Sequence, residues 1–311
     1  MAVAATIDNT YGMLYVAVVV STALYGVGAT QFWLYIRKYH VKDTLLIKCL
    51  VIAILVCDTC QQILLIHSVY KYLVAGISDP AILPSVVNTL MVELFFSCAI
   101  ATMVQQFYCW RIYKIGQNIF LALAVSAVSW TSCVVLLIYA ARAVQFKQLS
   151  QLTTLQTLSI ASNTLSAAAD VTVSVVLVFL LQGSKTGFKR STDLINRLMI
   201  FTFNTGLPTS IAALAATICV AAFPNTFLYI FFFLLLGRFY TNSILVTLNS
   251  REYIKSTSDP ASQEHYSLEN TGRPRPPQAG TFNGGQGDAI TIRIETDTMH
   301  DFHSSTQDLK S

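Results

Sequence analysis

Hydrophobic residues occur along this chain in seven long, nearly uninterrupted blocks, separated by short polar segments. An α-helix needs about 20 apolar residues to cross roughly 30 Å of hydrocarbon, and each block reaches that length. The pattern therefore predicts seven transmembrane helices. The predicted spans are residues 11–36, 45–70, 86–110, 119–141, 157–182, 198–223 and 226–249.

The count of seven depends on a short break between the last two blocks. Pro224 disfavours helix in the residue before it, and Asn225 is a residue type that suits turns. Without this break, one span would be far longer than a bilayer requires.

Composition supports a membrane protein rather than a soluble domain. Of the 311 residues, 54% are hydrophobic and only 12% are charged, whereas a soluble domain typically has about 25% charged residues. We therefore predict an all-α, polytopic bundle whose partner is the lipid bilayer. Neither nucleic-acid binding nor any particular oligomeric state is indicated.

The positive charges predict an orientation. The connections on one side of the predicted membrane, with the segment after the last span, hold eleven Lys and Arg residues, and the opposite side holds three. Because Lys and Arg accumulate on the cytoplasmic side, the N-terminus is expected outside and the C-terminus inside. We favour the plasma membrane over an internal membrane.

Residues 256–311 differ in composition from the transmembrane domain, residues 1–255. They are rich in Ser, Thr, Pro, Gly and Gln, so a disordered cytoplasmic tail is expected. Within it, Ile290, Ile292 and Ile294 alternate with polar residues. This run is either a chance β-prone sequence or a strand-addition motif for a cytoplasmic protein.

Ionisable residues inside predicted spans are costly and usually have partners. Asp58, Asp170 and Arg238 all lie near the middle of their spans. We predict that Arg238 pairs with Asp170, with Asp58 or with both, which leaves one carboxyl to be protonated or to bind a cation. The alternative is a polar clasp that only fixes helix register.

Other polar residues suggest a cavity. Glu93 lies about two turns below the predicted outer surface, where it could line an outward-facing cavity with Gln61, Gln62 and His67. His67 is close to the span's outer end, which also suits a simple interfacial side chain.

Two further features concern the sixth span and the connection before it. Asn204, Gly206 and Pro208 predict a kink, either a hinge or a static bend. The preceding inner connection is basic and is expected to contact the anionic inner leaflet or an acidic partner. The basic residues involved are Lys185, Lys189, Arg190 and Arg197.

Several seven-helix classes are not indicated. The last span contains no lysine for a retinal Schiff base, and the motifs of rhodopsin-like receptors are missing from spans three and seven. His67 is the only histidine near a span, which argues against a membrane zinc hydrolase. We predict no catalytic residues, no metal, no cofactor and no enzymatic activity.

Some local sequences resemble a known family. Residues 183–196, 204–206 and 237–251, together with 167–170 and 31–43, are similar to a fungal, mainly basidiomycete, family of seven-helix proteins known as domain of unknown function 6534. The resemblance implies the fold and topology, and no activity.

Three functions remain open. The first is a receptor-like sensor, in which an outward cavity near Glu93 signals through the span-six kink to the third inner loop and tail. The second is a carrier of a small solute or proton that uses Asp58, Asp170 and Arg238 as a relay. The third is a membrane scaffold without a ligand.

Overall fold

The computed structural model describes residues 6–39, 41–185, 189–223 and 226–251; of residues 189–191, 201 and 203–205 it describes only the backbone. The predicted tail, with Ile290, Ile292 and Ile294, lies outside these ranges. The long helices are α1 (Met13–Tyr39), α2 (Leu45–Tyr70), α3 (Asn88–Gly116), α4 (Ile119–Ala143), α5 (Gln156–Gly183), α6 (Lys189–Ala222) and α7 (Leu228–Asn249).

Short helical turns extend the ends of these helices. They are Asp8–Gly12 before α1, Lys71–Ala75 and Gly76–Ser78 after α2, Pro80–Ile82 before α3, and Leu149–Leu155 before α5. Strand structure in the described ranges is limited to an isolated antiparallel bridge between Ser85 and Gln148.

The tightest connection joins α3 to α4 and shows how local sequence sets the helix ends. Gln117 has a left-handed backbone (φ 50°), which ends α3. The Asn118 side chain then accepts hydrogen bonds from the backbone nitrogens of Phe120 (3.0 Å) and Leu121 (3.2 Å). This is an N-cap, and it starts α4 immediately.

The helices are built for a membrane. Six of the described helical segments are long and apolar enough to cross one, and α6 contributes a shorter apolar segment, Gly206–Ala222. Large apolar side chains face outward, including Trp33, Phe120 and Phe179, which are 61–81% exposed. An apolar exterior of this extent suits lipid rather than water. The chain is therefore a multi-pass helical membrane protein.

The helices form a closed ring. Each packs against the next along the chain, and α7 packs against α1. Helix α3 also contacts α5 and α7, and α7 contacts α2, so α3 and α7 are the most central elements. Polar side chains on α3 and α7 are thus brought into the interior, where a candidate site can form.

The ring has two ends. The N-terminal face is formed by residues 6–12, by residues 71–87 and by the turn Leu149–Leu155. It is held together by hydrogen bonds from the Tyr11 hydroxyl to the Leu83 carbonyl (2.6 Å) and from the Phe227 nitrogen to the Asn9 carbonyl (3.0 Å). The opposite end, with the α1–α2 connection and the end of α7, is called the Asp43 face.

The interface that closes the ring, here called the α1–α7 seam, is bonded along its length. Asn242 donates its side-chain amide to the Leu24 carbonyl (3.1 Å), and Asn249 donates to the Gln31 carbonyl (2.8 Å). The Tyr39 hydroxyl donates to the Asn249 carbonyl (3.0 Å). Side-chain amides thus satisfy backbone acceptors across the seam.

Helix α6 starts earlier than the predicted sixth span. It begins at Lys189 instead of residue 198, so the backbone of Lys189 and Arg190 and all of Arg197 are helical rather than part of a loop. Lys185 is exposed just before this helix, and Arg197 is half-buried. An amphipathic first section rich in Lys and Arg can continue a helix beyond the apolar core.

Pro208 lies inside α6, which stays helical from Lys189 to Ala222. Because proline has no N–H, it removes one helical hydrogen bond. Nearby hydroxyls bond to the backbone here: Thr209 (2.8 Å) and Ser210 (3.0 Å) both donate to the Gly206 carbonyl. The side chain of Asn204, the third member of the predicted hinge, lies outside the described part. Whether this region bends remains a prediction.

Candidate functional site

The interior is organised around Arg238 on α7, which is fully buried. Its Nη1 forms an ion pair with Asp58 Oδ1 on α2 and also donates to the Asp58 carbonyl (2.9 Å). Its Nε donates to Ser21 Oγ on α1 (2.9 Å), and the guanidinium lies 5.7 Å from the centre of the Tyr25 ring. One side chain thus joins α1, α2 and α7.

Hydroxyl and amide groups complete this first cluster. Thr241 donates to Asp58 Oδ1 (3.2 Å), and Ser21 donates to Gln62 Oε1 (3.0 Å). The Gln62 amide nitrogen then donates to Thr22 on α1 (2.8 Å). A charged pair in an apolar interior needs such additional partners, because desolvation otherwise exceeds the attraction between the charges.

A second cluster, centred on Glu93 of α3, lies beside the first. Gln61 donates through Nε2 to Glu93 Oε1 and to Ser97 Oγ (2.9 Å), and Ser97 donates to Glu93 Oε1 (3.2 Å). Both Gln61 and Glu93 are fully buried. Gly237 permits this arrangement: a Cβ at Gly237 would lie only 2.7 Å from Gln61 Oε1 and 2.8 Å from its Nε2.

A third cluster surrounds Asp170 of α5, which is 6% exposed. Gln105 on α3 donates to Asp170 Oδ1 (2.9 Å), and the Tyr240 hydroxyl on α7 donates to Oδ2 (2.7 Å). Ser166 is hydrogen-bonded to the same tyrosine hydroxyl (3.2 Å). The Asp170 cluster therefore ties α3, α5 and α7 together.

The three predicted midplane residues are consequently divided between two clusters. Arg238 pairs with Asp58, one of its two predicted partners, while Asp170 bonds to Gln105 and Tyr240 instead. Arg238 and Tyr240 are two positions apart on α7 and therefore point to different sides of the helix.

A pocket of about 390 Å³ lies at the N-terminal face. Its walls combine aromatic rings with hydroxyl and amide groups, and none of the described residues that line it is charged. They are Thr10, Tyr11, Pro84, Tyr139, Leu149, Ser150, Leu152, Thr153, Gln156, Ser159, Val220, Phe227 and Tyr229.

The predicted cavity residues lie elsewhere. Glu93, Gln61 and Gln62 are buried in the polar clusters. His67 is exposed, and its Nδ1 lies 3.1 Å from the Thr89 hydroxyl. The pocket at the N-terminal face is lined instead by the N-terminal segment, Pro84, the turn Leu149–Leu155 and residues at the ends of α4 to α7. The depth of residues along α2 and α3, counted from the sequence, identified buried polar side chains. It did not identify the residues that line this pocket.

Smaller cavities continue from the pocket into the protein. One of about 30 Å³ shares Tyr139, Ser159 and Tyr229 with the pocket and reaches Phe233. The next, of about 20 Å³, extends from Phe233 to Tyr240. Another of about 20 Å³ is lined by Tyr240 and Asp170 together. These cavities follow one another along α7.

A fourth cluster, which the sequence did not indicate, lies at the Asp43 face. Arg251 forms two hydrogen bonds with the Asp43 carboxylate (3.0 and 2.6 Å), and Tyr35 donates a third (2.9 Å). The Arg251 guanidinium also lies 4.8 Å from the centre of the Tyr39 ring. This two-pronged pair fixes the end of α7 to the α1–α2 connection.

The environment of Asp43 favours its ionised form. Burial alone raises the pKa of Asp43, but hydrogen bonds from Arg251 and Tyr35, with the positive charges of Arg251 and Lys48, outweigh it. The pKa of Asp43 is therefore lower than usual in the folded protein, and folding stabilises the carboxylate.

This shift predicts a pH-dependent stability. The contribution of Asp43 should be complete above the ordinary aspartate pKa, about 4, and should disappear as pH falls through the lower folded-state value. We expect Asp43→Asn to lower the melting temperature by a constant amount between about pH 6 and 8, and by less below about pH 4. Tryptophan fluorescence during thermal unfolding in nanodiscs would measure both.

Asp193→Asn is the matched control, because Asp193 is an exposed carboxylate on α6. Its difference from the wild type should stay near zero across the same pH range. A wild-type advantage over Asp43→Asn that persists unchanged to the lowest pH would contradict the assigned ionisation.

In the described ranges, no three His, Cys, Asp or Glu side chains come together as a metal-binding group. The described cysteines are all free thiols, and Cys98 and Cys133 lie with their sulfurs 3.3 Å apart between α3 and α4.

Comparison with known proteins identifies part of the chain. Residues 166–253 match the model of a family of unknown function (DUF6534). This segment contains Asp170, Arg238 and Arg251, a member of three of the four clusters. No curated protein and no solved structure matches the chain.

Proposed function

Because the chain carries the domain of a family of unknown function, DUF6534, we propose its role from the site: a receptor-like sensor in the plasma membrane that binds a small neutral molecule. The ligand occupies the pocket at the N-terminal face. The observation that carries the proposal is this pocket of about 390 Å³ with an uncharged lining.

The sensor has seven spans, with the N-terminal face outside. Helices α5 and α7 both run from the N-terminal face to the Asp43 face, so α6 has to return across the same membrane. Its apolar segment Gly206–Ala222 and the helical residues before it supply the length. The excess of Lys and Arg on the other side supports a cytoplasmic Asp43 face.

The chemistry of the lining supports a neutral, partly aromatic ligand. Small-molecule sites usually have volumes of about 300–1,000 Å³ and combine apolar walls with a few polar groups. Tyr139, Phe227 and Tyr229 offer ring surfaces, while Ser150 and Gln156 offer hydrogen bonds. A charged ligand would find no opposite charge among the described residues of this lining.

Helix α7 provides the route for a signal. Phe227 and Tyr229 line the pocket, Arg238 and Tyr240 join the buried clusters, and Arg251 is fixed to Asp43 at the other end. A ligand that shifts the start of α7 would therefore disturb contacts down to the Asp43 face. The tail and the α5–α6 connection follow there, where a cytoplasmic partner would respond.

Thr153→Trp tests this proposal, because the new ring would fill the pocket from an exposed position. A library of neutral aromatic alcohols and amides is screened by the shift in melting temperature of the full chain in nanodiscs. We expect some compounds to raise the melting temperature of the wild type. Their apparent affinity for Thr153→Trp should be at least about tenfold lower, which corresponds to about 1.4 kcal/mol.

Thr154→Trp is a closely matched control. Thr154 is also exposed and also bonds through its hydroxyl to a backbone carbonyl three residues earlier, but it lies outside the pocket lining. Ligands that stabilise the wild type and both variants equally would argue against the pocket. A library without any wild-type hit would also count against the sensor.

Transport of a small solute or proton is the second candidate, and the row of cavities along α7 favours it. The relay would run through Asp170, since Asp58 is already paired with Arg238. Proteoliposome flux that Asp170→Asn abolishes would select the carrier over the sensor. A scaffold without a ligand needs neither the pocket nor the cavities.

A further inference from the structure

The small cavity beside Asp170 has the size of a single ion or water. Its volume is about 20 Å³, and it lies between α3, α5, α6 and α7. A void must offer about 10–15 Å³ to hold one water molecule. A sodium ion is of similar size, so the cavity accommodates one small particle and excludes a larger solute.

The Asp170 carboxylate beside this cavity has no positively charged partner among the described residues. Both Asp170 oxygens accept hydrogen bonds, from Gln105 and from Tyr240, which suits an ionised carboxylate. Asp58 is paired with Arg238, whereas none of the described basic side chains forms an ion pair with Asp170. A buried carboxylate without a partner charge is costly, so it either takes up a proton or is accompanied by a cation.

The rest of the cavity wall combines the aliphatic side chains of Val104, Val173 and Leu177 with residues that carry hydroxyl groups. Hydroxyl groups from Ser174 on α5, Thr209 on α6, and Tyr240 and Ser243 on α7 line it with Asp170. The Thr209 hydroxyl donates to the Gly206 carbonyl (2.8 Å) and lies within hydrogen-bonding reach of Asp170. Hard cations prefer such neutral and anionic oxygen ligands.

Gly206 allows α6 to approach closely enough to form this wall. A Cβ at Gly206 would clash with Ser174 Oγ, which would be displaced. The hydroxyl of Ser174 has a place beside the cavity only because the opposite helix has no side chain there.

We propose that this cavity binds a monovalent cation of the size of Na⁺, with Asp170 as its charged ligand and the surrounding hydroxyls as neutral ligands. The bound ion compensates the buried charge and links α5, α6 and α7. The site is independent of the pocket at the N-terminal face and of the sensor proposed for it.

Thermal unfolding of the full chain in nanodiscs tests this site. NaCl is titrated at constant ionic strength against choline chloride, with KCl as a second series. A ligand that binds only the folded state raises its stability with concentration. We expect the wild-type melting temperature to rise with Na⁺ more than with K⁺, and Asp170→Asn to lose this dependence. Asp43→Asn, which removes a carboxylate outside the cavity, should keep the dependence on Na⁺.

A milder variant keeps the test decisive if Asp170→Asn does not fold. Ser174→Ala removes one cavity hydroxyl, so it should shift the Na⁺ midpoint several-fold upward. Ser162→Ala, in the neighbouring cavity, should leave the midpoint unchanged. A wild-type melting temperature that is equal in Na⁺ and choline would overturn the proposal. So would a Na⁺ response that survives in Asp170→Asn, or stabilisation by low pH in place of Na⁺.

Discussion

Replacement of Arg238 with methionine should destabilise the protein by about 3–5 kcal/mol, the usual effect of breaking a buried ion pair. Asp58 would then lie in the interior without its cation, and Ser21 would lose a donor. Asp58→Leu should have a similar effect, because it leaves the guanidinium unpaired. Unfolding by SDS titration in mixed micelles would measure the free energy of unfolding.

The double variant Asp58→Leu/Arg238→Met distinguishes a broken pair from damaged packing. Since it removes both charges, we expect it to be more stable than either single variant. Arg142→Met is the control for loss of an exposed arginine and should change stability by less than about 0.5 kcal/mol. Two single effects that simply add in the double variant would contradict the pair.

Gly237→Ala should also be strongly destabilising, by about 1–3 kcal/mol. The added methyl group would lie within 2.8 Å of both ends of the Gln61 amide. Gln61 would have to move, and it would lose its hydrogen bonds to Glu93 and Ser97. The same unfolding measurement, together with the melting temperature in nanodiscs, would detect this loss.

Gly26→Ala provides a matched control within a helix of the same ring. Gly26 is exposed on α1, and an added Cβ there would meet no other atom within 4 Å. Because alanine favours helix over glycine, this variant should be neutral or stabilising by up to about 1 kcal/mol. Equal destabilisation by both variants would show that the approach of Gln61 is not the cause.

The sequence predicted the helices and the pairing of Arg238 because both follow from one-dimensional rules. Apolar length indicates a possible span, and a buried guanidinium requires an acid at similar depth. Depth does not determine which side of a helix faces which neighbour. The assignment of Asp170 to Gln105 and Tyr240 rather than to Arg238 depends on helix rotation, which tertiary packing sets.

Glycine and tyrosine in the last span carried information that charge alone did not. Gly237 and Tyr240 flank Arg238 in the sequence, and both turn out to touch a buried cluster. Their spacing along α7 directs them to different neighbours. In the sequence, the glycine next to the buried Arg238 was the signal that a neighbouring helix could approach α7 closely.

The contact between Asp43 and Arg251 could not be predicted from the sequence, for another reason. Both residues lie in segments that resemble the family, but in the sequence Arg251 is simply one of the basic residues after the last predicted span. The two residues are more than two hundred positions apart and meet only because the ring closes. No local pattern predicts such a pair.

The bonded α1–α7 seam has a consequence for how this chain tolerates interruption. In an open row of helices, a single cut leaves the two fragments joined by one helix contact. Here a cut between α4 and α5 would leave α5 in contact with α3 and α4, and α7 in contact with α1, α2 and α3. The amides of Asn242 and Asn249 would still bond to their carbonyl partners across the α1–α7 seam. Two fragments that are translated together should therefore be able to reassemble. Helices α1 and α7 would remain in direct contact, without lipid between them.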